Sequence, residues 1–105
     1  MIDRILILLR NQKVAAKIQE QLKVFGAEVV DIAFSESMVP PANDVDARYS
    51  IIIVDKQFAG TSVDTLKFIR AIRRKFIGLV IGIELMHGDG ELLSLQTGGG
   101  CEFAL

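Results

Sequence analysis

Asp55 is the residue of this chain whose type and position most directly suggest chemistry. It follows the apolar run Ile51-Ile52-Ile53-Val54, which predicts a strand that is buried on both faces. In open α/β sheets, ligands and reacting groups collect at the carboxyl ends of the strands. Asp55 is therefore the first candidate for an active-site carboxylate.

Other reactive side chains are few. Cys101 is the one cysteine, so no internal disulfide is possible, and the neighbouring Glu102 disfavours a reactive thiolate. His87 is the one histidine and lies beside Gly88-Asp89-Gly90. Because a closed zinc site needs four ligands, we expect no metal site. We expect Cys101 to be a small buried strand residue and His87 to be an exposed loop residue.

The segment after the first predicted strand is unsuited to phosphate binding. Residues 9–13, Leu-Arg-Asn-Gln-Lys, include no glycine, serine or threonine that would let backbone N–H groups approach a phosphate. The chain also contains neither G-x-x-x-x-G-K-[ST] nor G-x-G-x-x-G before a helix. We therefore expect no nucleotide or flavin site and no cofactor.

The elements that would position Asp55 alternate along the chain. Apolar runs predict strands at residues 4–9, 28–34, 50–54, 78–83 and 101–105. Amphipathic spacing predicts helices at residues 12–25, 63–75 and 91–96. This alternation predicts an α/β fold with a doubly wound parallel five-stranded sheet and helices on both faces. The chain is expected to form a single domain over residues 1–105.

The two longer helices each carry one apolar stripe. Gly26 is expected to end the first in a left-handed conformation, and Thr61 or Ser62 to cap the second. Residues 35–48 are the least regular part, because Pro40-Pro41 excludes a helix through the middle. At most one helical turn is expected, near residues 36–39. The predicted buried stripes are Val14, Ile18, Leu22 and Phe25 in the first helix, and Leu66, Ile69, Ile72 and Phe76 in the second.

Composition narrows the class of protein. Half of the 105 residues are hydrophobic, yet no apolar run approaches the roughly 18 residues that span a bilayer. With no signal peptide and one cysteine, a cytoplasmic location is expected. With a net charge of −1, the chain as a whole is not attracted to nucleic acid or to an anionic membrane. The basic residues of helix 63–75 are interpreted either as a solvated face or as a docking face for an acidic partner.

The pattern resembles the receiver domain of two-component response regulators. The matching segments cover nearly the whole chain in the right order: RILIL, LKVFGAEVV, SIIIVD, VDTLKFIRAIRR, GLVIGI and GGGCEF. The resemblance implies a flavodoxin-like fold, and it places Asp55 at the position of the phospho-accepting aspartate. It also implies a role in signalling and transcription regulation.

Several receiver features are replaced here. Leu9 and Arg10 occupy the positions of the acidic pair that binds Mg²⁺ in that family. Ile83 and Glu84 bracket the position of its Thr or Ser, and Lys56 directly follows Asp55. The family's lysine would fall past Leu105, helix 2 is degraded and helix 5 is missing. One carboxylate beside an arginine is a poor Mg²⁺ site, so an Arg10–Asp55 ion pair is expected instead.

These departures predict a degenerate pseudo-receiver. The chain is expected to act as a non-catalytic interaction or dimerisation module that does not depend on phosphorylation. Its expected partner is a protein chain, a second copy or a downstream effector domain, which would cover apolar surface left open by the missing helix. The alternative is a phospho-accepting receiver with an atypical site at Asp55.

Overall fold

A computed structural model describes residues 3–85 and the backbone of residues 93–96, with the side chains of residues 3–84. Four strands, β1 to β4, alternate with three α-helices, and a fifth short strand follows. A single 3₁₀ turn, Glu36–Met38, precedes α2. The elements are β1 Arg4–Leu8, α1 Gln12–Val24, β2 Val29–Ala33, α2 Ala42–Arg48, β3 Ile51–Asp55, α3 Ser62–Arg73, β4 Leu79–Leu85 and β5 Leu93–Gln96.

The sheet has the order β2-β1-β3-β4-β5. The first four strands of that order are parallel, with Ile5 opposite both Val30 and Ile51, and Ile51 opposite Leu79. β5 pairs antiparallel with β4, from Leu93 opposite Leu85 to Gln96 opposite Gly82. The α/β class and the parallel arrangement of β1 to β4 are therefore confirmed.

The helix predicted at residues 91–96 is wrong, because Leu93–Gln96 is a strand. Its sequence, Leu-Ser-Leu-Gln, alternates apolar and polar residues with the period of two that strands favour. β4 also runs on to Leu85, which gives this segment an edge to pair with. The fifth parallel strand predicted at residues 101–105 lies outside the described residues.

Each face of the sheet carries its own apolar cluster. β1, β3 and β4 each send alternate side chains to opposite faces, as the pleat of a strand requires. On one face, Leu6, Ile52 and Val80 pack with residues of α2 and α3. On the other, Ile5, Ile53 and Ile83 pack with Val14 and Ala15 of α1. Asp55 thus ends a strand that is covered on both sides.

The end of α1 differs from the predicted apolar stripe. Val14 is buried and Ile18 and Leu22 are half-buried, but Phe25 is 82% exposed. The helix ends at Val24, and Gly26 turns the chain with a left-handed φ of 98°. Because Phe25 is the last residue before that turn, its side chain leaves the apolar stripe.

The predicted loss of helix 2 is wrong, because Ala42–Arg48 forms an α-helix of 7 residues. The two prolines precede its first turn, where backbone N–H groups have no partner within the helix, so they do not break it. The carbonyl of Pro41 accepts the N–H groups of Asp44 and Val45 at 2.9 and 3.0 Å. Val45 and Tyr49, four residues apart, are both buried and fix the helix against the sheet.

Tyr49 joins this region to β2. Its hydroxyl donates a 2.6 Å hydrogen bond to Oδ2 of Asp31. Burial, followed by the hydrogen bond and the negative charge of Asp31, raises the pKa of Tyr49 to about 12. Because this contact links residues 18 positions apart, it holds the end of α2 beside the edge of the sheet.

Candidate functional site

The candidate residues meet at the carboxyl edge of the parallel strands. Asp55 lies opposite Ile83, and the N–H of Lys56 donates to the carbonyl of Ile83 at 3.1 Å. Leu8 lies opposite Val54, so Leu9 follows β1 at the level where Asp55 ends β3. The structure therefore brings the two strand ends and Asp55 together, as the pattern of apolar runs predicts.

Two of the positions beside Asp55 are aliphatic. Leu9 and Ile83 are both 0% exposed, so neither position offers a polar group to a ligand. Glu84 is exposed and Lys56 is half-buried, and they directly follow Ile83 and Asp55 in the chain. The described residues contain no group of three or more His, Cys, Asp or Glu side chains that could hold a metal ion.

Asp55 itself is half-buried. Its Oδ1 accepts the N–H of Gln57 at 3.4 Å. Burial raises the pKa of Asp55 and the negative charge of Glu84 raises it further, while the Gln57 hydrogen bond opposes the change. The surroundings of Asp55 therefore favour the charged form of its carboxyl less than water does.

Arg10 is directed to a different group than expected. Its Nε donates a short hydrogen bond to the backbone carbonyl of Phe58. Arg10 forms no ion pair with Asp55, and it is not among the described groups that shift the pKa of Asp55. Arg10 therefore ties the end of β1 to the segment after β3 through a neutral backbone acceptor.

The segment after Asp55 is closely folded. The N–H of Phe58 donates to the carbonyl of Asp55 at 2.9 Å, and the N–H of Gly60 donates to that of Gln57 at 2.9 Å. The side chain of Phe58 is fully buried, with its ring 6.0 Å from that of Phe68 at an interplanar angle of 50°. Residues 56–60 are thus held by a core side chain.

Thr65 secures the same segment from α3. It is fully buried, and its Oγ1 accepts the N–H of Ala59 at 2.9 Å and donates to the carbonyl of Thr61 at 2.7 Å. Thr61 in turn caps α3 by accepting the N–H of Asp64 at 3.0 Å. The hydroxyl of Thr65 thus both donates and accepts a hydrogen bond, which explains how it is accommodated in the core.

Phe58 and Thr65 are the structural residues of the site that sequence reasoning missed. An isolated phenylalanine among Lys, Gln, Ala and Gly gives no periodic signal, although a large apolar residue in a short loop is itself an indication of burial. Thr65 follows Thr61 by four residues, the spacing at which a hydroxyl can reach a carbonyl of the preceding turn.

Comparison of this chain with protein-family models, with curated proteins and with solved structures finds no match. No helix in residues 3–85 has the length and apolar character needed to cross a membrane.

Replacing Asp55 by Asn is expected to stabilise the protein at neutral pH. The pKa of Asp55 is higher in the folded protein than in the unfolded chain. Below the unfolded-state pKa the carboxyl is protonated in both states. Stability then falls as the pH rises through the folded-state pKa. Asn keeps an oxygen for the Gln57 N–H without the buried charge. We expect Asp55→Asn to raise the free energy of unfolding at pH 7, and we expect the difference to disappear in acid, where the carboxyl is protonated in both states.

Urea unfolding followed by far-UV circular dichroism at several pH values measures this difference. Glu20→Gln, the same change at an exposed position of α1, is the control and should stay within about 0.5 kcal/mol of the parent. A destabilised Asp55→Asn variant at pH 7 would show that the carboxylate makes a favourable interaction in its charged form.

Proposed function

We propose that this chain is a receiver-like interaction module that works without phosphorylation. The observation that carries the proposal is the burial of Leu9 and Ile83 on either side of Asp55. In a phosphoryl-transfer site the neighbouring positions supply metal ligands and hydrogen-bond donors that neutralise the developing charge. Aliphatic side chains supply neither, so Asp55 is a structural carboxylate at the end of β3.

The strand order supports a flavodoxin-like, receiver-type architecture. The order 2-1-3-4-5 is the one found in flavodoxin-like sheets, and β1 to β4 follow it in parallel. Such folds position ligands at the switch point between β1 and β3, which is where Asp55 lies. A receiver-type fold whose acceptor site is inactive accounts for both the strand order and the position of Asp55.

The segment after Asp55 supports the same proposal. A phosphorylation switch requires a segment that can rearrange when the charge at the acceptor changes. Here Phe58 is fully buried and Thr65 and Arg10 bond the backbone of residues 58–59. Such anchoring favours a fixed surface over a switch, and a fixed surface suits constitutive binding of a partner.

A phosphorylation assay tests the proposal. The protein is incubated with acetyl phosphate and Mg²⁺, and intact-mass and peptide mass spectrometry determine the phosphate content at Asp55. We expect no modification above that of the Asp55→Asn variant, because the described residues contain no group of side chains that could hold a metal ion beside Asp55. Stoichiometric phosphorylation of Asp55 would overturn the proposal.

The second candidate is a phospho-accepting receiver with an atypical site. It is favoured by one observation: Glu84 lies close enough to Asp55 for its negative charge to raise the pKa of Asp55. Two neighbouring carboxylates are an arrangement that a divalent cation would stabilise. A Glu84→Gln variant would then lose Mg²⁺-dependent phosphorylation, whereas the first proposal predicts none in either protein.

The partner of such a module is a protein chain or a second copy of this one. Leu79 is 53% exposed at the start of β4, and Ile51 and Ile81 on the α1 face of the sheet are half-buried. Apolar surface of this kind is typical of protein interfaces. Sedimentation equilibrium over a range of concentrations tests self-association, and a monomer at the highest concentration would exclude the second copy.

A further inference from the structure

The outer face of α3 carries an unusual row of positive charge. Lys67, Arg70 and Arg74 are all exposed, and their spacings of three and four place them along one side of the helix. The row extends about 10 Å from Lys67 to Arg74 at the helical rise of 1.5 Å per residue. We call these three residues the basic face.

Local helix energetics account for only part of the basic face. Arg70 lies in the last turn and Arg74 at the C-cap, where cations suit the helix dipole, but like charges three or four residues apart repel one another. No acidic residue stands three or four positions from Arg74 in the sequence. The carbonyls beyond the helix end are already served by Arg73, which donates to those of Phe76 and Gly78.

One apolar residue follows the end of the basic face. Ile77 is 90% exposed, and its backbone N–H is fixed by a 3.0 Å hydrogen bond to Oδ1 of Asp46 on α2. A large aliphatic side chain on an anchored backbone beside several cations is suited to a partner with both carboxylates and an apolar side chain.

We propose that the basic face binds an acidic segment of another protein, with Ile77 as the apolar contact. This inference rests on the proposed role as an interaction module. Nucleic acid is disfavoured because the chain has a net charge of −1, whereas domains that bind nucleic acid are strongly basic. An anionic membrane is disfavoured because such surfaces attract polybasic segments with a broad apolar face.

The probe is a labelled helical peptide about four turns long, with glutamate at every third or fourth position and leucine at one end. Fluorescence anisotropy measures its binding to the full chain. We expect Lys67→Glu/Arg74→Glu to weaken binding by about tenfold or more, since charge reversal at an interface replaces attraction by repulsion. Ile77→Ser should weaken it further, and added salt should weaken binding to the parent protein.

Lys13→Glu/Lys23→Glu on α1 is the matched control, because it makes the same change in formal charge at two exposed helical positions. It should leave the affinity within about twofold of the parent. Circular dichroism checks folding, and Lys67→Gln/Arg74→Gln, which removes charge without reversing it, serves if the glutamate variant is unfolded.

Three results would overturn the inference: no binding of the peptide, equal loss in both charge-reversal variants, or tighter binding to a single-stranded oligonucleotide or to phosphatidylserine vesicles. The phosphorylation assay measures phosphate at Asp55, whereas the anisotropy assay measures peptide binding at α3. Loss of the binding inference therefore leaves the phosphorylation result, and its test of the proposed function, unchanged.

Discussion

Replacing Gly78 by Ala is expected to destabilise the fold by about 3 kcal/mol, which is severe for a domain of this size. A Cβ atom at residue 78 would clash with the carbonyl oxygen of Ser50 and would lie 2.5 Å from Cζ of Phe76. The first contact is with backbone, so no side-chain rotation relieves it. The strand that must move is β3, the centre of the sheet and the strand that ends at Asp55.

The surrounding hydrogen bonds make that movement costly. The carbonyl of Ser50 accepts the N–H of Leu79 at 3.0 Å, and the N–H of Ser50 donates to the carbonyl of Arg4 at 2.8 Å. Ser50 therefore lies between the starts of β1 and β4, and shifting it disturbs two strand pairings. The side chain of Phe76 is 1% exposed and has little space to retreat.

Thermal and urea unfolding followed by far-UV circular dichroism measure the effect. We expect a drop in melting temperature on the order of 15 °C for Gly78→Ala. Gly26→Ala is the control: its φ of 98° strains an alanine, but nothing lies within 4 Å of the added Cβ. Its cost should be about 1 kcal/mol. Equal effects in the two variants would show that the approach of residue 78 to Ser50 does not limit stability.

Much of this architecture follows from sequence periodicity. The runs at Ile5–Leu8 and Ile52–Val54 are apolar and buried at every position, as expected for strands that are covered on both faces. Ile69, Ile72 and Phe76 repeat at helical spacing and are buried as predicted. These signals are strong because burial of apolar area is the largest favourable contribution to folding.

The wrong predictions have other physical causes. The pair Pro40-Pro41 predicts that helix 2 is lost, but proline stops a helix only from within and is compatible with its start. The position of Arg10 after a strand end predicts an ion pair with Asp55, yet Arg10 donates to the backbone carbonyl of Phe58. Every residue has such a carbonyl, so no residue type in the sequence marks it as an acceptor.

The sequence predicts where the candidate site lies but not the environment of its carboxylate. The edge on which Asp55 lies follows from parallel strand order. Whether the carboxylate is paired, solvated or half-buried depends on side chains from β1, β4 and the segment after β3. Their relative positions are set by register and by the packing of Phe58, which no local pattern encodes.

Phe58→Ala is expected to cost about 3–5 kcal/mol and to loosen the segment after Asp55. Phe58 is fully buried and packs against Phe68, so truncation removes apolar contacts and leaves a cavity. The backbone of residues 58–59 carries the bonds from Arg10 and Thr65. We therefore expect faster hydrogen exchange at the amides of Phe58 and Ala59, beyond what the global loss of stability produces.

Phe25→Ala is the matched control, because it makes the same truncation at a phenylalanine that is 82% exposed. It should change the free energy of unfolding by about 0.5 kcal/mol or less. Urea unfolding measures both variants, and hydrogen exchange by mass spectrometry locates the effect. The sequence pattern alone, which buries Phe25 and leaves residues 56–62 as a loop, predicts the reverse order of the two costs. If Phe58→Ala proves as mild as Phe25→Ala, then the segment after Asp55 is not held by the core, and the fixed surface proposed for this module loses its physical basis.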